Sequence, residues 1–269
     1  MKKNEGFSEN RTFGVEIEFF LKEGSRARAV DKVLAALASN GIQVNWEGYS
    51  HTTRRYWKLV YDASVAHEGL EIVSPILKGK QGLAELKKVT DALDQVGAKI
   101  DHSCGVHVHH DASDFSLKSF KNVYGMYSRY EDTIDSMLSP SRRGSNNNMC
   151  KSPSTNLERL KAATSVDEII DRIYGDRYVK LNCQSFRRHG TIEFRQHQGT
   201  TNFDKLQAWI VITQMMVERS INSTIQLKPG ADDYFNFKKV IRGYGWMGAD
   251  ELQQKAVKFI GKRINKLAS

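Results

Sequence analysis

Polar and apolar residues alternate in a short segment near the start of the chain. The segment GVEIEFF, residues 14–20, places Glu16 and Glu18 two residues apart, with an apolar residue at each intervening position. Successive side chains of a β-strand point to opposite faces. The pattern therefore predicts a strand whose two carboxylates share one face while its apolar residues pack on the other.

Two later segments repeat this alternation with other polar groups. GVHVHHD, residues 105–111, puts His107 and His109 on one face, and TIEFRQH, residues 191–197, puts Glu193 and Arg195 on one face. One such strand alone is typical of a solvated outer face. Because three segments far apart in sequence each offer paired carboxylate, imidazole or guanidinium groups, the pattern favours a shared polar site.

The remaining periodicity predicts an α+β fold. Apolar residues at helical spacing predict helices over about residues 25–40, 82–96, 116–138, 166–174, 203–221 and 250–267, and further strands over 42–46, 56–61, 70–73 and 178–186. Several strand pairs are joined by turns too short for parallel crossovers. We therefore expect a curved, mostly antiparallel sheet with helices on its outer face and the polar residues on its open face.

No internal repeat and no break in composition divides the chain. We therefore expect a single catalytic domain over residues 1–269, with its motifs in residues 12–200 and a helical C-terminal part in residues 201–269. Residues 1–11 are expected to be a frayed lead-in. The polar segment 139–155, which is rich in Ser and Asn, is either a flexible linker or a basic lid over an anionic substrate.

Composition describes a globular protein without a membrane span. Of the 269 residues, 40% are hydrophobic and 26% charged, and no stretch approaches the roughly 20 apolar residues that cross a bilayer. The first residues lack the apolar run of a signal peptide. Three cysteines without CxxC spacing fit reduced thiols in the cytoplasm. Cys104 and Cys183 are expected to pack rather than react.

The net charge of +9 favours anionic partners. The chain carries no zinc-finger or RNA-recognition signature, so only non-specific or substrate contact with nucleic acid is expected. It also lacks a P-loop. Gly243, Gly245 and Gly248 spell GxGxxG, but too few residues follow to complete a dinucleotide-binding unit, so these glycines are interpreted as a turn.

The polar strands carry the groups of a divalent-cation site. Glu16, Glu18 and Glu193, together with Glu71 of the segment GLEIVSP, offer oxygen ligands, and the HxH strand offers His107. Many carboxylates with one imidazole suit Mg²⁺ or Mn²⁺, whereas thiolates or three histidines would indicate zinc. Arg195 is a cation among these acids, and a phosphate group is the partner that its planar guanidinium matches best.

The ordered motifs resemble those of the amidoligase family. They are GVEIEFF, DAS with GLEIVSP, CGVHVHH and TIEFRQHQGT, within about residues 12–200. That family belongs to the carboxylate–amine ligase superfamily, together with glutamine synthetase and glutamate–cysteine ligase. The resemblance implies a catalytic domain of the glutamine-synthetase type, which binds ATP and two or three Mg²⁺ ions. It also implies ATP-dependent joining of a small-molecule or peptide carboxylate to an amine.

The resemblance also implies a role for each motif residue. The implied metal ligands are Glu16, Glu18, Glu71, His107 and Glu193. His109 would contact the nucleotide phosphates, and Arg195 would hold the transferred phosphoryl group. Lys180 and Asn182 would contact nucleotide or substrate. Glu18, Glu193 and Arg195 are thus the expected catalytic residues, whereas His110 and Asp111 extend the histidine motif without an implied role.

Three other functions use the same residues differently. A metal-dependent hydrolase would use the same ligands to generate a hydroxide nucleophile. A phosphotransferase similar to the phosphagen kinases would transfer the γ-phosphate to its acceptor without forming an amide. A non-catalytic nucleic-acid-binding module would account for the positive charge, but it would leave the acidic strands without a purpose.

Overall fold

The computed structural model describes residues 6–222, 234–242 and 250–268, and it shows an open, mostly antiparallel sheet with helices. This architecture confirms the predicted α+β class. The strands are β1 (Thr12–Phe19), β2 (Val44–Trp46), β3 (Trp57–Tyr61), β4 (Leu70–Val73), β5 (Leu77–Lys78), β6 (Gly105–Asp111), β7 (Leu181–Asn182) and β8 (Thr191–Gln198).

Helices make up most of the rest of the described chain. They are α1 (Arg26–Ser39), α2 (Gly79–Gln95), α3 (Leu117–Arg129), α4 (Glu131–Ser136), α5 (Leu157–Ala162), α6 (Val166–Glu168), α7 (Gln184–His189), α8 (Phe203–Asn222), α9 (Tyr234–Arg242) and α10 (Glu251–Ala268). Among these described helices, none combines the length and the apolar character that a bilayer-crossing segment needs.

The chain divides into two compact units. Unit 1 comprises Met1–Ser8, His109–Gln196 and Ala208–Ser269, and unit 2 comprises Glu9–Val108 and His197–Gln207. Strands β6 and β8 contribute residues to both units. The expected single catalytic domain therefore stays a prediction.

Strand register puts the acids of unit 2 on one face. The strand order there is β2-β3-β4-β1-β6, and β4 runs antiparallel to both β1 and β3. Glu18 lies opposite Glu71, whereas Ile17 lies opposite Ile72. Directly opposed residues share a face. The predicted alternation is therefore correct, with carboxylates on one face and buried isoleucines on the other.

Helices cover the apolar face of the unit 2 sheet. On β3 the Trp57 indole Nε1 donates to the Glu85 carboxylate of α2 at 2.6 Å. Leu59, two residues further along β3, is fully buried, as are Leu86 and Leu93 of α2. Ser25 caps α1, as its position before the apolar periodicity predicts, by accepting from the backbone N–H of Arg28. The opposite face of the sheet remains for the polar side chains.

In unit 1 the strand order is β6-β8-β7, and the strand predicted over residues 178–186 is only partly correct. Asn182 lies opposite Glu193, but a helix, α7, follows in place of further strand. The Asn182 carboxamide oxygen accepts from the backbone N–H of Gln184, and Gly190 ends the helix at a φ of 66°. The local hydrogen bond of the Asn182 side chain and the left-handed glycine therefore favour a helical turn where strand was expected.

The helix predicted over residues 116–138 is broken at Tyr130 into α3 and α4. The second of these helices, α4, carries two acids that take part in a buried ion pair. Glu131 and Asp135 of α4 both contact the buried ammonium of Lys180, at 2.6 and 2.7 Å. A helix prediction from apolar spacing cannot anticipate this ion pair, because its cationic partner lies about 45 residues later in the chain.

Segment 139–155 is attached to unit 1 at both ends. Near its start, the Arg142 carbonyl accepts from the Gln196 carboxamide at 2.8 Å. Near its end, the Lys151 backbone N–H donates to the Tyr178 carbonyl, and Ser152 donates its hydroxyl to the Glu131 carboxylate at 2.7 Å. Arg142 and Cys150 are buried, whereas residues 144–146 are exposed. The segment is thus packed at its ends, so only its central part retains the exposure that a linker or lid needs.

The ends of the described chain are more ordered than predicted. Within the expected frayed lead-in, the Phe7 side chain is buried, and the backbone N–H of Phe7 donates to the Asp250 carboxylate at 2.7 Å. The final helix was predicted correctly: α10 buries Val257 and Ile260 on its apolar face. The GxGxxG segment at residues 243–248 lies outside the described residues.

Candidate active site

Three side chains of unit 2 converge on one point, and we call them the carboxylate cluster. They are Glu18 on β1, Glu71 on β4 and His107 on β6. Each offers one ligand atom, and these atoms all lie within 4.8 Å of one another. The opposed pairing of Glu18 with Glu71 accounts for the approach of the two acids. A single cation can therefore be reached by all three groups.

Hydrogen bonds orient the groups of this cluster. His107 Nδ1 lies 2.9 Å from Oε2 of Glu16, and His107 Nε2 lies 3.7 Å from Oε1 of Glu18. The Gly105 N–H donates to Oε2 of Glu18 at 2.5 Å. An imidazole whose one nitrogen is held by a carboxylate presents the other in a defined direction. Glu16 thus orients His107 toward Glu18.

The negative charges of the cluster favour a bound cation. Burial raises the pKa of Glu71 well above its usual range, and the charges of Glu16 and Glu18 raise it further; Lys58 opposes them only in part. Buried like charges are unfavourable unless a cation compensates them. The donor set, carboxylate oxygens with one imidazole, fits Mg²⁺ or Mn²⁺.

A second polar group forms in unit 1 around Glu193. The Arg195 guanidinium donates to Oε1 of Glu193 at 2.5 Å, and the Asn182 carboxamide donates to Oε2 at 2.6 Å. His109 Nε2 lies 3.8 Å from the same carboxylate, and its Nδ1 lies 3.0 Å from the Thr191 hydroxyl. Unit 1 therefore brings together four of the predicted site residues: His109, Asn182, Glu193 and Arg195.

Lys180 forms a buried ion pair with α4. Its side chain is 0% exposed and its ammonium is paired with Glu131 and Asp135. Asp135 also accepts from the carboxamide of Gln196, so the lysine belongs to a buried network. The implied contact of Lys180 with nucleotide or substrate stays a prediction, for a side chain that a buried ion pair holds.

The two histidine-motif residues without an implied role have local structural roles. His110 is fully buried in unit 1, with Nε2 2.7 Å from the Thr213 hydroxyl. Asp111 accepts from the backbone N–H of Ser113 at 3.0 Å. His110 points to the face opposite His109, because adjacent residues alternate along a strand. It therefore supports the core rather than the polar face.

The cysteines behave as packing residues. Burial raises the pKa of Cys104 to about 11 and that of Cys183 to about 12. Cys150 is also buried, and its pKa is likewise raised. A thiol with such a pKa carries little thiolate at neutral pH. This is consistent with the sequence-based interpretation that Cys104 and Cys183 pack rather than react.

Lys58 was not among the predicted site residues, but it lies on the polar face of the unit 2 sheet. It pairs with Val73, which in turn pairs with Glu16, so all three residues share that face. The available signal was a lysine inside the otherwise apolar strand WKLVY. That signal is weak, because a single charged residue in a strand is usually solvent-exposed.

Comparison with solved structures finds two glutamine synthetase-related chains and one ligase among its matches. One is described as a novel glutamine synthase homolog, at 13% identity and a TM-score of 0.43 over 96% of this chain and 65% of that one. Another is the complex of the prokaryotic ubiquitin-like protein Pup with its ligase PafA, at 9% identity and 0.42, over 96% and 63%. A third is Plasmodium falciparum glutamine synthetase, at 11% and 0.47, over 97% and 72%.

The chain thus spans somewhat less than two thirds of the length of the first two of these chains. No curated protein sequence matches it. The model of one sequence family, described as "Putative amidoligase enzyme", matches residues 9–217. This match covers most of the chain and includes every motif on which the resemblance was based. The chain belongs to the amidoligase family.

Proposed function

We propose that this protein is an ATP-dependent carboxylate–amine ligase that forms an amide through an acyl-phosphate intermediate. Family membership supports ligase chemistry in general. The observation that carries the finer proposal is the convergence of Glu18, Glu71 and His107 within 4.8 Å. A binding module would leave this cluster without a purpose, and a metal-dependent hydrolase, which could use it, does not match the family to which the chain belongs.

The reaction requires activation of the carboxylate. Condensing a carboxylate with an amine in water is uphill, so one carboxylate oxygen first attacks the γ-phosphorus of ATP and ADP leaves. The amine then attacks the acyl carbon, the amide bond forms, and phosphate departs with the oxygen that it received; the amine loses one proton. Phosphoryl transfer asks the protein mainly for positioning and charge neutralisation.

The carboxylate cluster is proposed to hold the metal. Glu18, Glu71 and His107 are the direct ligands, and Glu16 orients His107 or binds a second ion. Glu193 keeps the ligand role that the family resemblance implies. When bound, Mg²⁺ or Mn²⁺ neutralises charge on the phosphates. The raised pKa of Glu71 supports this assignment, since a cation relieves the repulsion that causes it.

Arg195 is proposed to hold the transferred phosphoryl group, and His109 to contact the nucleotide phosphates. The Arg195 guanidinium is paired with Glu193 at 2.5 Å, which holds it in one orientation before the substrate binds. Asn182 fixes the other oxygen of that carboxylate at 2.6 Å. Pre-oriented donors lose little freedom when the phosphoryl group arrives, which favours the transition state.

Purified protein with Mg²⁺, ATP and a library of carboxylates and amines tests the proposal through ADP release and product mass. A ligase releases ADP with an amide product only when both acceptors are present. A phosphotransferase needs one acceptor and yields a phosphorylated product, and a hydrolase turns over without ATP. Glu18→Gln should abolish ADP release, whereas Glu23→Gln, beside the exposed Lys32, should not.

The partners of the protein and its cellular location are predictions. The carboxylate and the amine define the partners of the proposed enzyme, with ATP as the third reactant. Nucleic acid is proposed only as a non-specific or substrate contact of a chain whose net charge is +9. The cytoplasmic location inferred from the cysteine content is likewise an expectation.

A further inference from the structure

Unit 2 contains a buried lysine that the proposed mechanism does not use. Lys58 on β3 is only 3% exposed and lies on the same face as Glu16, two strands away. Neighbouring strands are separated by about 4.8 Å, so the two backbones lie about 10 Å apart. A buried ammonium is unfavourable unless it has partners.

The partners of Lys58 are backbone carbonyls of the connection between β2 and β3, residues 47–56, which we call loop 47–56. The ammonium donates to the carbonyl of Ser50 at 2.6 Å and to that of Thr52 at 3.0 Å. Burial lowers the pKa of Lys58, and the charges of Glu16, Glu47 and Glu71 oppose that effect. The ammonium thus lies within the field of the carboxylate face while it holds the centre of the loop.

The ends of loop 47–56 are held separately. Glu47 accepts from the Arg54 guanidinium at 2.7 Å and from the Tyr56 hydroxyl at 2.6 Å. Between these ends the tip exposes Tyr49, at 74% exposure, with its ring 4.7 Å from that of His51. Residues 49–53 (YSHTT) carry hydroxyl and imidazole donors and no acid. Lys58 ties this donor-rich tip to the sheet at Ser50 and Thr52, and the Tyr61 N–H adds a contact with the Gly48 carbonyl at 2.7 Å.

We propose that Lys58 is a positioning residue that couples metal binding at the carboxylate cluster to the ordering of loop 47–56. The inference rests on the proposed function only for the presence of the metal. A divalent cation takes up the negative charge that otherwise attracts the ammonium. Lys58 then favours the loop carbonyls more strongly, and the loop is held most firmly when the site is loaded. The coupling is reciprocal, as any linkage between two sites must be.

Limited trypsin digestion of the full chain measures the coupling, because Arg54 and Arg55 are cleavage sites inside the loop. Mass spectrometry follows cleavage at these two residues with and without Mn²⁺. The carboxylates share the sheet face of the ammonium, so neutralising them acts on Lys58 at short range and Mn²⁺ should slow cleavage by about two- to five-fold. In Lys58→Met the metal-free loop should be cleaved faster and this protection should disappear.

Three variants make the result specific. Lys58→Arg retains the cation and should restore part of the protection. Glu47→Ala loosens the ends of the loop, so it should raise cleavage while leaving the effect of Mn²⁺ in place. Glu18→Gln removes a ligand and should abolish protection without changing Lys58. Thermal unfolding checks that each variant is folded.

The outcomes separate the coupling from the ligase proposal. Electron paramagnetic resonance measures Mn²⁺ affinity directly and needs no substrate. Two results would overturn the coupling alone. In the first, folded Lys58→Met is still protected by Mn²⁺ as fully as the wild type. In the second, the wild type binds Mn²⁺ but its loop is not protected from cleavage. Failure of wild type to bind Mn²⁺ overturns both proposals. Protection that requires Lys58 supports the coupling even if the acceptor screen yields no amide.

Discussion

Glu18 and Glu71 lie directly opposite each other in the antiparallel pairing of β1 and β4, with both side chains on the polar face of the sheet. Like charges at opposed positions destabilise a sheet. A bound divalent cation turns the same arrangement into a favourable one, because it is attracted to both carboxylates. The free energy of unfolding of this protein should therefore depend on metal.

Glu71→Gln should stabilise the metal-free protein. Burial and the neighbouring carboxylates raise the pKa of Glu71, so the folded state retains its proton more readily than the unfolded state. Stability from this group is present at acidic pH, below the unfolded pKa, and is lost as pH rises through the raised folded pKa. Thermal unfolding in EDTA should show a Tm higher by a few degrees in the variant at neutral pH, on the order of 1 kcal/mol.

The pH dependence provides the control for this prediction. The gain in Glu71→Gln should shrink as pH falls toward the usual range of a glutamate, since the wild-type side chain is then protonated. Glu23→Gln, at the exposed pair with Lys32, should show no such trend. A Tm loss of equal size at every pH would mean that repulsion does not govern this site.

Mg²⁺ or Mn²⁺ should stabilise the wild type. Binding to the folded state alone contributes about 2.7 kcal/mol at a hundredfold excess over Kd. His107→Ala should remove most of this stabilisation, because it removes an imidazole within 4.8 Å of two carboxylate ligand atoms. His102→Ala, at an exposed position close in sequence, is the matched control. Equal Tm shifts with metal in both variants would contradict the ligand assignment.

Arg195→Lys should lower ADP formation by about a hundredfold or more, the loss typical of removing one pre-oriented donor. A lysine keeps the charge but not the planar pair of donors that matches a phosphoryl group. The measurement is ADP release at saturating ATP with the acceptors found in the screen. Arg188→Lys, at an exposed residue of α7, should leave the rate unchanged. Similar rates for the two variants would remove Arg195 from the mechanism.

Lys180→Met should destabilise the fold by about 3–5 kcal/mol, because it leaves the carboxylates of Glu131 and Asp135 without their buried cation. Denaturant unfolding gives the free energy. Lys161→Met removes an exposed ion pair with Glu158 and should cost no more than about 1 kcal/mol. If Lys180→Met kept wild-type stability and lost only ATP affinity, the result would support the predicted contact of Lys180 with the nucleotide.

Deleting residues 145–148, the central part of segment 139–155, should uncouple ATP consumption from ligation. An acyl phosphate hydrolyses in water, so a ligase needs a cover over its intermediate. The attachments at Lys151 and Ser152 stay in place, so the deletion should leave the packing of unit 1 intact. The ratio of ADP to amide product measures coupling. A ratio equal to that of wild type would show that this segment is not the cover.

Much of the candidate site could be predicted because its pattern is local. The alternation in GVEIEFF fixes that Glu16 and Glu18 share a face, whatever the rest of the chain does. The same holds for His107 and His109, and for Glu193 and Arg195. Apolar spacing likewise predicted α1, α8 and α10 within a few residues.

The tertiary structure decided how residues from different segments combine. Strand register, rather than any local pattern, brings Glu71 opposite Glu18. A fully buried Lys180 pairs with Glu131 and Asp135, which lie 49 and 45 residues earlier in the chain, and Lys58 donates to carbonyls of loop 47–56. Local periodicity determines which face a side chain takes. Its partner across the fold is determined by long-range packing and by the cost of burying an unpaired charge, and neither is encoded in a short window of sequence.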